Sequence, residues 1–225
     1  MAIKARVLEY MQQAKKILAT DDGNIMLPDA LTSLKNADET LKKGLLPIYY
    51  AEYREVVDGI ISALEGLASG TDVGEGQEIL SMSLELLTFV ETRVAKETRF
   101  KKEIVFLPYK ADMWDSMESV WQAAVEDSEH AIAYVMPIPY YDRTPDAKVR
   151  EWHCDIDKFP ENVPVIAYRS VDLAAMHPDV IVIHNPYDEY NTVTSVDAKY
   201  FSRYLKNYTD KLVYIPYFVD RKSVM

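Results

Sequence analysis

Glycine is missing from most of the chain. All seven glycines lie at or before Gly76, and none occurs from Gln77 to Met225. Glycine-rich phosphate cradles need close backbone approach and positive φ, which glycine supplies at least cost. The glycine-free part therefore holds no nucleotide in that way. Cysteine is nearly absent as well. A single Cys154 excludes an intramolecular disulfide framework and suits a reducing cytosol. No apolar run approaches the ~20 residues of a membrane-spanning helix. Lys4, Arg6, Glu9, Lys15 and Lys16 interrupt the first twenty residues, so no signal peptide is expected. Positive charge is in deficit. Twenty-five Lys and Arg face 36 Asp and Glu, for a net charge of −11, which argues against nucleic acid as a partner. It also gives no general attraction to an anionic membrane, leaving only a local basic patch to act there.

The chain does have enough apolar material for a core, 48% of 225 residues, and enough length for two domains. Its composition changes near residue 100. Residues 1–100 hold no His, Trp or Cys, and their apolar residues recur at helical spacing. Ile3, Val7, Leu8, Met11, Ala14, Ile17 and Leu18 form one stripe. A second helix is predicted from Pro28 and Asp29 to just before Gly44, and a third from about Pro47 to Leu67. Ala68–Gln77 reads as a glycine-bearing loop, and a fourth helix covers about Glu78–Lys96. A helical bundle is expected. The sharper alternative is an element for homo-oligomer formation or a lipid surface. Lys96, Arg99, Lys101 and Lys102 cluster at its end, where a solvated face or linker is the plainer reading.

From Lys102 onward short apolar runs alternate with amphipathic stretches. Strands are predicted at Ile104–Leu107, Ala131–Met136, Val163–Ala167, Val180–Ile183 and Leu212–Ile215. Helices are predicted at about Trp114–Glu126, Asp172–Met176 and Val196–Tyr208, with a long loop over 137–162. Alternating strands and helices predict a Rossmann-like α/β domain with a parallel sheet. The division is thus 1–100 helical and 101–225 α/β.

In open parallel sheets ligands bind beyond the carboxyl ends of the strands. Three such ends are unusual in composition. After the first strand come Lys110, Asp112, Trp114, Asp115 and Ser116, at a turn whose helix start would offer N–H groups to an anion. Asp112 or Asp115 alone would also suit an N-cap. After the second come Tyr140, Tyr141, Asp142 and Arg143, behind Pro137 and Pro139. Tyrosines on a stiff backbone suit a sugar or polyol, or simply pack against the sheet. After the fourth come His184, Asn185, Tyr187, Asp188 and Asn191. His184 is a candidate general base, with Asp188 or Glu189 to orient it. His153-Cys154-Asp155 has no second Cys or spaced His for a metal, so no metal site is assigned. No G-x-S-x-G elbow is present.

Three strings carry a family resemblance. They are Phe106-Leu107-Pro108-Tyr109-Lys110-Ala111-x-Met113-Trp114-Asp115-Ser116, Pro137-Ile138-Pro139-Tyr140-Tyr141-Asp142-Arg143 and Ile183-His184-Asn185-Pro186-Tyr187-Asp188-x-Tyr190-Asn191-x-Val193-Thr194-Ser195. With the closing Leu212-Val213-Tyr214-Ile215-Pro216-Tyr217, residues 102–219 resemble clostridial proteins of the CDP-glycerol glycerophosphotransferase family. The resemblance implies the N-terminal half of a GT-B fold and a transferase of teichoic-acid or related cell-wall polymer synthesis. It implies catalysis by His184, although Asn185-Pro186 stands where the family has Gly-Thr-Pro. It implies a phosphorylated polyol or glycan acceptor. Lys110, Arg143 and the helix start at Trp114 would hold phosphates, and Tyr140, Tyr141 and Tyr187 the polyol. No cofactor is expected in this chain, because the CDP-activated donor would bind a C-terminal domain lying beyond Met225. Without that domain no turnover is expected. The expected place is the cytoplasm, peripheral to the inner face of the cell membrane. The alternative is a non-catalytic glycan- or nucleotide-binding or oligomerisation module.

Overall fold

The computed structural model describes residues 2–20, 26–70, 73–143, 151–185 and 190–217. The chain divides into two compact units, one built on Ile3–Lys101 and the other from Lys102 onward.

The first unit contains α1 (Ala2–Leu18), α2 (Leu27–Gly44), α3 (Pro47–Ala68) and α4 (Val73–Lys96). Ile3, Val7, Met11, Ala14 and Leu18 are all buried, the apolar stripe of an amphipathic helix. Leu8 and Ile17 lie half-buried at its margin. Pro28 and Pro47 sit in the first turns of α2 and α3, where a missing N–H costs no intrahelical bond. Gly44 closes α2 where an added Cβ would collide with the side chains of Ile3 and Phe100. Helix α4 begins at Val73, earlier than predicted, and takes in much of the expected glycine-bearing loop. No helix among the described residues is long and apolar enough to cross a membrane.

Arg99 is not a free basic group. It donates from Nη2 to the buried Glu97 at 2.6 Å and from Nη1 to Glu52 at 2.9 Å. Tyr53 Oη and the N–H groups of Thr98 and Arg99 also donate to Glu97, each at 2.9 Å. Arg99, above all, holds the Glu97 carboxyl down to about 2.

The second unit runs in chain order through β1 (Lys102–Leu107), α5 (Asp115–Glu126), β2 (Ala131–Val135), β3 (Tyr140–Asp142), β4 (Trp152–His153), α6 (Leu173–Met176), β5 (Val180–Ile183), β6 (Thr194–Val196), α7 (Ser202–Leu205) and β7 (Lys211–Tyr214). It is a mixed α/β structure. A four-stranded parallel sheet has the order β2-β1-β5-β7, and a second, antiparallel sheet the order β4-β3-β6. Alternation along the strands covers both faces of the parallel sheet. Val105, Leu107, Ile181 and Ile183 pack with Leu173, Val196, Tyr200, Phe201 and Leu205. Phe106 and Val182 pack with Trp114, Met117 and Trp121.

Three predicted elements differ. The strand over Val163–Ala167 shrinks to one parallel bridge between Val165 and Val135. Pro164 lacks the N–H a ladder needs. The loop over 137–162 contains β3 and β4, because Tyr140, Tyr141 and Trp152 are strand formers. The helix over Val196–Tyr208 is instead the end of β6, a 3₁₀ turn at Ala198–Tyr200 and the four-residue α7. Asn191 Oδ1 accepts from the N–H groups of Val193 and Thr194, starting β6, and Asp197 accepts from Lys199 N to start the 3₁₀ turn. With no glycine at hand, His177 takes the left-handed cap of α6, at φ 44°.

Candidate functional site

The chain goes from β1 through α5 to β2 on one side, then returns past β1 to β5 on the other. The strand order therefore reverses between β1 and β5, and their carboxyl ends flank a topological switch point. Beyond β1 stand Tyr109 and Lys110. Beyond β5 stand His184 and Asn185. The register Leu107↔Ile183 sets these two ends side by side.

His184 is 1% exposed. Its Nε2 lies 2.9 Å from Ser116 Oγ, on the first turn of α5. Ser116 Oγ also donates to the Met113 carbonyl at 2.9 Å. The hydroxyl has one proton and Met113 O can only accept. With that proton on Met113 O, Nε2 carries its own hydrogen and donates it to Ser116. Nδ1 then keeps a bare lone pair, and it is buried with no hydrogen-bond partner among the described residues. The rings of Tyr109 and Tyr217 stand edge-on to the imidazole, at centroid distances of 6.1 and 6.4 Å. Burial pushes the imidazole down to about 4, so it is neutral at ordinary pH.

A second group surrounds Lys110. Its Nζ lies 3.4 Å from Asp142 and 5.0 Å from the centre of the Tyr140 ring. Asp142 also accepts from Thr194 Oγ1 at 3.0 Å; this bond first, then Lys110, holds its carboxyl below the usual range. Tyr140 Oη donates to Asp155 at 3.3 Å. Asp155 also binds Lys158 and accepts from Ala111 N at 3.2 Å. The anion at this turn is thus the protein's own Asp155. Tyr109 joins the two groups, with its ring 5.8 Å from that of Tyr140.

Other candidates lie apart from these groups. Trp114 is 1% exposed, wedged edge-on among Phe106, Trp121 and Phe159, so its side chain belongs to the core. Trp114 is the N-cap of α5 and no side chain caps that helix, so neither Asp112 nor Asp115 does so; both are exposed. Tyr141 is buried against Trp152, its ring centroid 4.8 Å away, which leaves it poorly placed for polyol packing. Arg143 donates to Ser195 Oγ at 3.4 Å. Asn185 is buried, and Asn191 serves the turn before β6. Tyr187 and Asp188 lie outside the described residues.

Sequence reasoning missed Tyr109, Tyr217 and Asp155. Tyr109 stood inside the string after β1 and was available to it; Tyr217 and Asp155 meet the site only through folding. Among the described residues no group of three His, Cys, Asp or Glu is placed to hold a metal. Two open hollows, of about 440 and 380 Å³, occur elsewhere on the unit, and neither is lined by His184. The chain matches no model of a known protein family, no curated protein and no solved structure.

Proposed function

We propose that the α/β unit is the acceptor-side, GT-B-like half of a glycerophosphotransferase acting in teichoic-acid or related cell-surface polymer synthesis. The observation that supports this reading is the His184 imidazole at the switch point, neutral and with a bare Nδ1. In the mechanism, an acceptor hydroxyl gives its proton to Nδ1 as its oxygen attacks the β-phosphorus of a CDP-activated alditol. The bond from that phosphorus to the bridging oxygen breaks, and CMP leaves with the oxygen. Ser116 is a positioning residue: it fixes the imidazole through Nε2–H and keeps accepting that hydrogen in the imidazolium. The side chains that bury Nδ1 part to admit the acceptor. Phosphates arriving there raise the proton affinity of a base that burial has lowered. Lys110 supplies a cation at the same strand end, exchanging Asp142 for phosphate.

The burial of His184 and the placement of the open hollows favour a second reading, a non-catalytic glycan- or nucleotide-binding module. Transfer assays separate the two. In a two-domain protein that carries this unit with a donor-binding domain, His184→Ala should abolish transfer from CDP-glycerol while the fold persists. Near-normal transfer in that variant rejects the catalytic reading. Deleting the donor-binding domain from the two-domain protein should abolish transfer as well; turnover without it rejects the need for a second domain.

A further inference from the structure

The hollow of about 440 Å³ is lined by Tyr168, Arg169, Asp172, Lys199, Tyr200 and Tyr208, with Val171, Leu173 and Ala174. Its size falls in the range of small-molecule sites, ~300–1,000 Å³. The charge balance inside it runs against that of the protein. Arg169 and Lys199 form no ion pair with any carboxylate among the described residues, in a chain of net charge −11. Arg169 Cζ and Lys199 Nζ each lie 5.3 Å from the centre of the Tyr168 ring, and Lys199 Nζ lies 4.9 Å from that of Tyr200. Asp172, the one acid on the wall, is already engaged: its Oδ1 accepts from the N–H groups of Ala174 and Ala175 at the start of α6. Two cations gathered on one aromatic ring outnumber the single acid on the wall, whose Oδ1 caps α6, and suit an anion from solution.

The tyrosines define the rest of the ligand. The rings of Tyr168 and Tyr200 already carry cations, so they are poor stacking faces for a nucleobase. Their polar edges are available. Tyr168 Oη accepts from Arg169 Nε at 2.9 Å and keeps its own proton to donate. The hydroxyls of Tyr200 and Tyr208 have no hydrogen-bond partner among the described residues. Phenol hydroxyls beside paired cations match a compact ligand with several hydroxyls and one phosphate.

We propose that this hollow is a binding site for a monosaccharide phosphate, with Arg169 and Lys199 on the phosphate and the tyrosine hydroxyls on the sugar. The assignment rests on the hollow's own side chains and stands whatever the role of His184.

Calorimetric titration of the full chain with glucose 6-phosphate tests it, alongside glucose, inorganic phosphate and adenosine 5′-monophosphate. Saturable binding of the sugar phosphate is expected, tighter than each of the other three and weakened by salt. Arg169→Gln with Lys199→Gln should weaken it about tenfold or more, since charge-assisted bonds are lost. Both side chains are exposed, so the fold should persist, as circular dichroism would show. His184→Ala should leave this binding unchanged. Equal affinity for phosphate or the nucleotide would overturn the proposal. So would parent-like binding by the double variant, loss of binding in His184→Ala, or no saturable binding at millimolar concentration.

Discussion

Two buried polar side chains, one in each unit, are served in opposite ways. In the helical unit, Glu97 is enclosed by donors: Tyr53, Arg99 and two backbone N–H groups all reach it. In the α/β unit, His184 is more deeply buried, yet Ser116 serves only one of its nitrogens. Buried polar atoms normally find partners, and an orphan costs stability. A fold that satisfies one group fully and leaves the other half-served spends that stability where a ligand can use it. Glu97 is thereby structural. The half-served His184 is what the proposed site rests on.

The largest break expected from a substitution comes from the satisfied side. Glu97→Ala should cost about 1–3 kcal/mol, because Tyr53 and the Thr98 N–H lose their acceptor while the exposed Arg99 keeps Glu52. Residue-resolved hydrogen exchange should show the loss across α1–α4. An effect within experimental error would mean that the network is not structural.

Acid separates the two groups by window. In the folded protein His184 titrates at about 4, below its ordinary 6.5, so the unfolded chain binds more protons between these values. Stability should fall as pH drops from 6.5 to 4, by roughly 3 kcal/mol. Glu97 is likewise depressed, from 4.5 to about 2, so its contribution is full above 4.5 and fades as pH falls toward 2. Urea midpoints at pH 7, 5 and 3 would trace the two stages. A flat profile from pH 7 to 5 would contradict the buried neutral imidazole.

His184→Leu should change stability by less than about 1 kcal/mol, since it removes an orphan nitrogen and keeps apolar volume. The same change should abolish transfer in the two-domain protein. A loss of several kcal/mol would make His184 a structural residue like Glu97. The smallest effect belongs to the surface pair. Lys110→Ala should cost under about 1 kcal/mol, because Asp142 is largely exposed and keeps Thr194. Its visible consequence should be weaker binding of a phosphorylated acceptor, read as a raised KM.

Much of this was legible before folding. The β-branched run Val180–Ile183 gave β5 and put His184 at its end, and Ile104–Leu107 gave β1. The apolar stripes of the helical unit were readable from their spacing. Other features depended on choices the sequence leaves even. Trp114 stood in a polar string and looked like a site residue, but its ring fills the space among Phe106, Trp121 and Phe159. Asn191 looked like a binding amide and serves an Asx turn. The bond from Ser116 to His184 joins residues 68 apart, and no spacing rule predicts it. Asp155, which takes the Ala111 N–H, was weighed only as a metal ligand.

The central claim is that His184 holds a buried, bare nitrogen at the switch point, which a ligand reaches once the side chains covering it part. Nitrogen-detected NMR titration of its imidazole tests this directly, with and without glycerol 3-phosphate. The account predicts a neutral ring down to about pH 4 with the proton on Nε2, and a rise in that value once the phosphate is bound. A ring that titrates near the ordinary 6.5 and ignores the ligand would contradict it.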